Sequence, residues 1–241
     1  MTERISGTSA VSSAWNIFKK NWKFIIPAVI VTGIVYAILQ VLQTSVQERA
    51  FPSLIIALIA TIIGIALSLA WSQIVLKLIK GNHNGWNDFK TNPKTWFSYF
   101  VARLISGLFM FLAILVFGLP ILLVIGSVIA ASIPLMIIGI ILSLTGIVLF
   151  VWISVRYMMI SFVSIDHPHM GGWSLMKESA RLTKGHIVEL FLFGLLLLLV
   201  NIIGLIALVV GLLVSIPLSK IATGYVYEHL KGKHHTHAQE N

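Results

Sequence analysis

Basic residues are confined to four short parts of the chain, separated by long apolar stretches that are almost free of charge. Sixteen of the 17 Lys and Arg residues lie within residues 1–23, 77–103, 156–184 and 220–233, and Arg49 is the exception. In polytopic membrane proteins, Lys and Arg collect in the cytoplasmic loops. The pattern therefore predicts a helical membrane protein whose N-terminus and C-terminus both face the cytoplasm.

The composition supports a membrane protein. Only 10% of the 241 residues are charged, whereas soluble domains carry about 25%, and the mean hydropathy is +0.96. We attribute the net charge of +9 to membrane orientation and to anionic lipid headgroups on the cytoplasmic side, which offer about 1 kcal/mol per Lys or Arg. Membrane lipids, rather than nucleic acid, are the expected partners. The chain contains no cysteine, which excludes disulfides, thiolate nucleophiles and cysteine-ligated metals.

The apolar stretches predict six membrane spans in an all-α bundle. A bilayer core of about 30 Å requires roughly 20 helical residues. The long stretch between Arg103 and Arg156 has no ionisable residue and could hold two or three spans. Two spans, with a turn near residues 130–134, keep all the basic segments on one side. The predicted spans cover about residues 24–43, 53–78, 97–128, 133–163, 186–208 and 211–230.

A short aromatic and basic segment precedes the first span and recurs before the third. Trp15 and Lys19 match Trp86 and Lys90, 71 residues later, and residues 173–188 resemble a degenerate third copy. We expect amphipathic interfacial segments at about 9–23, 83–96 and 171–184, with tryptophan at headgroup level and lysine near phosphate. They are either ordinary anchors or a docking surface for anionic lipid or a partner protein. The candidate lipid contacts are Trp15, Lys19, Lys20, Lys23, Trp86, Lys90, Lys94, Trp173, Lys177, Arg181 and Lys184.

Small residues at a spacing of four predict helix contacts in two spans, because close approach drives helix association in lipid. One series runs down the second span and the other down the sixth. They could lie within one chain or between subunits, so the sequence does not define an oligomeric state. The two series are Ala60, Gly64, Ser68 and Ser72, and Gly211, Ser215, Ser219 and Thr223.

Five polar residues in or near the spans are candidates for function, since ionisable groups inside membranes are costly. Lys220 lies near mid-depth if the sixth span begins near residue 212, and at the interface if it begins near 205. Asn201 is a polar residue of the last apolar block. Arg156 and Glu189 lie near cytoplasmic ends, where snorkelling or mutual pairing accounts for them. Asp166 stands beside His167 and His169, which suggests either a metal site or ordinary loop residues.

No catalytic motif, cofactor site or metal site is predicted, and residues 232–241 are expected to form a flexible tail. The chain lacks a zinc-protease helix, a serine elbow and a phosphate-binding glycine loop. A non-enzymatic protein is therefore expected.

The stretch from about Val151 to Gly185 resembles a known group. It combines Val155-Arg156-Tyr157, Ile165-Asp166 and the run from Arg181 to His186, followed later by Gly211 to Pro217. This is similar to a broad group of prokaryotic six-span proteins that includes the membrane domain attached to some glycerophosphoryl diester phosphodiesterases. The resemblance implies a helical bundle of the cytoplasmic membrane and a link to envelope or lipid homeostasis. It implies no catalytic residues.

Three hypotheses for function follow. The first is a non-enzymatic membrane protein that organises lipid or a partner through its interfacial segments. The alternative is a permease or carrier for a small or lipid-like substrate, which requires a polar cavity reaching Lys220, Asn201 or the small-residue series. A membrane enzyme would require Asp166, His167, His169 and Glu189 to converge.

Overall fold

The computed structural model describes the backbone of residues 6–129 and 132–239. Within this part of the chain the fold is entirely helical, without a strand, which confirms the predicted all-α class. The elements are α1 (Gly7–Ser45), α2 (Ala50–Lys80), a 3-10 turn (Gly85–Phe89), α3 (Pro93–Ile129), α4 (Ile133–Tyr157), α5 (Ile160–Asp166), α6 (Gly172–Leu182), α7 (Ile187–Ile206) and α8 (Leu208–Gln239).

Six helical segments are long and apolar enough to cross a membrane, the number predicted. They are Gly7–Ser45, Ala50–Lys80, Pro93–Val128, Ile133–Asp166, Ile187–Ile206 and Val210–Gly232, so α4 and α5 together form the fourth. The chain is thus a multi-pass membrane protein. The predicted turn near 130–134 falls between α3 and α4, and its residues 130 and 131 lie outside the described residues. Pro120 does not end α3, since lipid-embedded helices tolerate an internal proline.

The first helix is much longer than a bilayer is thick. With 39 residues and 1.5 Å per residue, α1 extends about 58 Å. The predicted interfacial segment at 9–23 is therefore the first part of α1 rather than a separate helix. The Ser6 side chain caps it by accepting a hydrogen bond from the Ser9 backbone N–H at 3.4 Å. The buried face of this part, formed by Ala10, Ala14 and Phe18, holds it against the bundle.

The three copies of the interfacial segment do not share one structure. The second copy forms the 3-10 turn and the start of α3, and only the third forms a separate amphipathic helix, α6. Gly81 and Gly85 adopt positive φ values of 72° and 66°, which end α2 and begin the turn. Pro93 then begins α3, as proline does at helix starts. These three residues have no counterpart in the first copy, where the helix continues.

The buried core lies at one end of the bundle, which we call the basic end. This end comprises the first half of α1, α3 and α7, the second half of α2, α4 and α8, and all of the 3-10 turn, α5 and α6. Its large buried side chains include Leu76, Tyr99, Phe162, Phe193 and Tyr227. The opposite halves of the helices expose apolar side chains such as Ile34, Leu58 and Ile141. Because lipid solvates such surfaces, this distribution fits a protein embedded in a bilayer.

Glycines bring two helix pairs into close contact. A Cβ atom on Gly146 of α4 would lie 2.5 Å from the Phe117 Cα atom of α3. Gly211 of α8 would likewise collide with the Gly204 backbone of α7. In the other predicted series, Gly64 of α2 faces the Tyr36 ring of α1. These contacts lie within one chain. Gly64 and Gly211 of the two small-residue series therefore pack against helices of their own chain.

The boundary between the last two spans is at Ala207, because α7 ends at Ile206 and α8 begins at Leu208. The last helix then runs to Gln239, so most of the segment expected as a flexible tail is helical in its backbone. No proline or glycine follows Gly232, and the Lys, Ala and Gln residues there favour helix. Residues 240 and 241 of the predicted tail lie outside the described residues.

Candidate functional site

Lys220 lies near the middle of the sixth span. It is ten residues after Val210 and twelve before Gly232, the ends of the apolar helical segment that is long enough to cross a membrane, or roughly 15 and 18 Å along the helix. A charged side chain at such a place requires polar surroundings.

A cavity of about 490 Å³ lies beside Lys220, between α1, α2 and α8. Its volume is within the range of about 300–1,000 Å³ typical of small-molecule sites. Gly33, Tyr36 and Ile216 in its wall are exposed, so the cavity opens sideways to the surface that lipid covers. Its polar lining is contributed by Thr32, Tyr36, Ser68, Trp71, Ser219, Lys220 and Thr223.

In the part of the chain that the structure describes, Lys220 Nζ contacts a hydroxyl group and an aromatic ring rather than a carboxylate. Its Nζ donates a long hydrogen bond of 3.4 Å to Ser161 Oγ. The same atom lies 4.9 Å from the centre of the Phe162 ring, a cation–π contact. Arg103 adds a second positive charge nearby. The site therefore has an excess of positive charge beside an apolar cavity.

Hydrogen bonds between helices hold the cavity wall. Trp71 Nε1 donates to Thr32 Oγ1 at 3.1 Å, which joins α2 to α1. Asn201 Nδ2 donates to Ser219 Oγ at 2.9 Å, which joins α7 to α8. The sequence candidate Asn201 thus lies behind the cavity and supports it. Its Oδ1 atom is buried and accepts no hydrogen bond from the described residues.

Asp166 lies in an ionic cluster at the basic end rather than beside a substrate pocket. Its carboxylate accepts hydrogen bonds from Lys80 at 3.1 Å, Tyr227 at 2.9 Å and Lys231 at 2.7 Å. Lys80 also contacts Glu228 at 3.1 Å. The cluster joins α2, α5 and α8 at the basic end. The sequence indicated Asp166 alone, because its partners are 61 to 86 residues away along the chain.

The remaining polar candidates have local structural partners. The Arg156 guanidinium lies 4.8 Å from the centre of the Trp152 ring, and its carbonyl accepts a hydrogen bond from Ser179 at 3.0 Å. Glu189 contacts His186 Nδ1 at 2.9 Å at the start of α7. Among the described residues, no three His, Asp or Glu side chains lie close enough together to hold a metal ion.

A second acidic site, around Asp88, was not anticipated. Asp88 is 1% exposed and accepts hydrogen bonds from Lys77 Nζ at 2.6 Å and the Asn84 backbone N–H at 2.7 Å. His83 Nδ1 lies 2.7 Å from the same carboxylate. Burial alone would raise the pKa of Asp88, but the bonds from Lys77 and Asn84 hold it below its usual value. Nothing local in the sequence distinguishes Asp88 from a solvated loop acid.

The predicted lipid contacts lie on the basic end with their side chains exposed. Lys19 lies 5.8 Å from the Trp15 ring, and Lys177 lies 5.8 Å from the Trp173 ring. Trp86 is 52% exposed and packs on Phe24 of α1 at 5.5 Å, which joins the second segment to α1 directly after the first segment. The other exposed basic side chains are Lys20, Lys23, Lys90, Lys94, Arg181 and Lys184. We call these Trp and basic residues together the aromatic–basic surface.

Comparison with known proteins places the chain in a family without assigning an activity. No curated protein and no solved structure matches it. A family profile does match residues 10–234, which includes all six spans except the first three residues of α1, and the whole of the cavity wall. The chain therefore belongs to the family described as "Protein of unknown function (DUF975)".

Proposed function

We propose that the chain is a non-enzymatic protein of the cytoplasmic membrane that organises anionic lipid through its aromatic–basic surface. Both termini then face the cytoplasm. The observation that carries this proposal is the clustering of exposed Trp15, Trp86 and Trp173 with eight exposed basic side chains at one end of the bundle. Tryptophan favours the headgroup region, and basic residues attract anionic lipids of the cytoplasmic leaflet.

The architecture of the basic end supports this proposal. The compact core and the ionic clusters of Asp88 and Asp166 give the basic end a fixed shape, on which the exposed residues keep their spacing. We expect a role in lipid or envelope homeostasis, as the sequence resemblance of residues 151–185 to the membrane domain of some glycerophosphoryl diester phosphodiesterases implies. Each exposed Lys or Arg near the surface contributes about 1 kcal/mol, so the effect depends on several of them together.

The test is the lipid preference of the purified chain. The Lys19, Lys20, Lys90 and Lys94 side chains are replaced together by Gln, and the protein is reconstituted in vesicles of phosphatidylglycerol and phosphatidylcholine. We expect the variant to lose most of the enrichment of phosphatidylglycerol around the protein, measured with spin-labelled lipids. Arg49→Gln, in the connection between α1 and α2 at the opposite end, is the control. An unchanged lipid preference in the fourfold variant would contradict the proposal.

The cavity at Lys220 favours a second candidate, a carrier for a lipid-like substrate. Carriers hold their substrates near the membrane midplane, and the cavity has its charged group there. Transfer of a labelled lipid across proteoliposomes, compared with protein-free vesicles, tests this candidate. Equal rates in the two preparations would argue against it.

A further inference from the structure

We propose that the cavity between α1, α2 and α8 binds a single-chain amphiphile with an anionic headgroup, a carboxylate or a phosphate monoester. The headgroup would replace Ser161 of α5, which lies outside the cavity wall, as the partner of Lys220 Nζ. The chain would lie in the apolar part of the cavity. This inference goes beyond the organisation of lipid by the aromatic–basic surface, and the two proposals depend on different residues.

The charge of the site favours an anion. Lys220 lies near mid-span, where its Nζ contacts the Ser161 hydroxyl and the Phe162 ring and a second cation, Arg103, lies nearby. A hydroxyl at 3.4 Å and an aromatic ring compensate an ammonium group only in part, since buried charges in membranes are normally paired. A ligand carboxylate or phosphate would supply the missing negative charge by a charge-assisted hydrogen bond.

The shape and lining of the cavity require an apolar body on that anion. Val29, Ile216 and Pro217 contribute apolar surface beside the few hydroxyl groups. Several of those hydroxyls already have partners in the protein: Thr32 accepts from Trp71, and Thr223 donates to the Ser219 carbonyl. A strongly hydrated ion such as free phosphate would leave most of its oxygens without donors there. The volume of about 490 Å³ favours one acyl chain over two.

The position of the opening suits a ligand that arrives from the bilayer. Gly33 and Tyr36 of α1 and Ile216 of α8 are exposed within the membrane-spanning segments. An amphiphile already inserted in the bilayer can therefore enter sideways without crossing water. Gly33 lies beside open space, because a Cβ atom at this position would have no atom within 4 Å.

That open space provides a second way to test the site. Gly33 belongs to the cavity wall, and a Cβ atom there has open space, so we expect Gly33→Leu to block the site and leave the fold intact. Gly107 of α3 is a matched control, because its Cβ position is equally open and lies outside the cavity wall. Arg49→Met is the control for removal of a positive charge.

The experiment measures equilibrium binding of radiolabelled palmitate, lysophosphatidate and hexadecanol to the full chain in nanodiscs of phosphatidylcholine. We expect Lys220→Met to weaken binding of at least one of the two anionic ligands about tenfold or more, the effect of one charge-assisted hydrogen bond. Gly33→Leu should abolish saturable binding of that ligand, whereas Gly107→Leu and Arg49→Met should bind like the natural chain. The anionic ligand that shows these effects identifies the headgroup.

Three results would overturn the proposal: equal affinity of the natural chain for palmitate, lysophosphatidate and hexadecanol, affinities that Lys220→Met does not change, or saturable binding that survives Gly33→Leu. The fourfold variant of Lys19, Lys20, Lys90 and Lys94 separates the two proposals. It should retain binding in the cavity while losing its preference for phosphatidylglycerol, so either proposal can fail without the other.

Discussion

Two acidic residues at the basic end show how single side chains determine the stability of this bundle. Asp88 and Asp166 each accept hydrogen bonds from several donors, which arrive from different helices or from the loop backbone. Hydrogen bonds to a charged group contribute about 1.5–3 kcal/mol, and a buried donor left without its partner is destabilising by a similar amount. We therefore expect Asp88 and Asp166 to contribute more to the stability of the basic end than the exposed polar side chains around them.

Replacement of Asp88 should destabilise the folded chain. In Asp88→Ala, the Asn84 N–H and the Lys77 ammonium lose their acceptor, so we expect the free energy of unfolding to fall by about 1–3 kcal/mol. Reversible unfolding by SDS in mixed micelles measures the difference. Glu48→Ala, which removes an exposed acid from the connection between α1 and α2, is the control and should change little.

The contribution of Asp88 to the free energy of unfolding should depend on pH. The pKa of Asp88 is lower in the folded chain than its usual value, which is about 3.9 when unfolded. Its contribution to stability is thus complete above about pH 4 and is lost as the pH falls through the folded pKa. The stability difference between the natural chain and Asp88→Asn should shrink as the pH falls below about pH 4. A difference that grows on acidification would contradict this assignment.

Tyr227 offers a matched pair of substitutions that tests the Asp166 cluster. Tyr227 is 1% exposed, and its hydroxyl donates to Asp166 at 2.9 Å. Tyr227→Phe should lower the free energy of unfolding by about 1.5–3 kcal/mol. Tyr225→Phe, two residues earlier and 37% exposed, should change it by less than about 0.5 kcal/mol. Equal effects in the two variants would show that the hydroxyl of Tyr227 contributes nothing specific.

At the scale of the elements, hydropathy was sufficient to predict the spans but not their ends. The six spans and the break near residue 132 followed from apolar length and the distribution of Lys and Arg. The continuation of α1 from Gly7 was not foreseen, because whether the chain bends at the interface depends on packing of Ala10, Ala14 and Phe18 against other helices. Such contacts between distant parts of the chain leave no periodic signal in the sequence.

The candidate site, too, could be predicted from the sequence only in part. The position of Lys220 among small polar residues was visible in the sequence, and Ser219 and Thr223 line the cavity beside it. That Thr32 and Trp71 complete the wall was not visible, because they lie on α1 and α2, about 150 to 190 residues earlier. Asp88 was missed for a similar reason, since its role depends on the folded connection after α2.

The contact between α3 and α4 depends on glycine. A Cβ atom at Gly146 would lie 2.5 Å from the Phe117 backbone, so Gly146→Ala should separate the helices and lower the free energy of unfolding by about 1–3 kcal/mol. Gly126→Ala on α3, where a Cβ atom has open space, should instead stabilise the helix by roughly 0.5–1 kcal/mol. Unfolding in SDS distinguishes the opposite signs. A stabilising effect at Gly146 would refute the close contact.

At the scale of the whole molecule, packing is strongly asymmetric. The basic end contains most of the buried core, the ionic clusters and the amphipathic helix α6, whereas the opposite halves of the helices present apolar side chains outward. A fixed end that carries the aromatic–basic surface fits contact with lipid headgroups. The looser apolar halves leave room for a lateral opening such as that between α1 and α8.

The orientation of the basic end in the membrane tests this account most directly. The natural chain has no cysteine, so single cysteines report accessibility without background. Asn82 and Ser174 are exposed at the basic end, and Gln47 is exposed at the opposite end. With a membrane-impermeant maleimide, we expect Gln47→Cys to be labelled from the outer side of the membrane. Asn82→Cys and Ser174→Cys should be labelled only after the membrane is permeabilised. Labelling of Asn82→Cys or Ser174→Cys from outside would contradict the cytoplasmic position of the aromatic–basic surface.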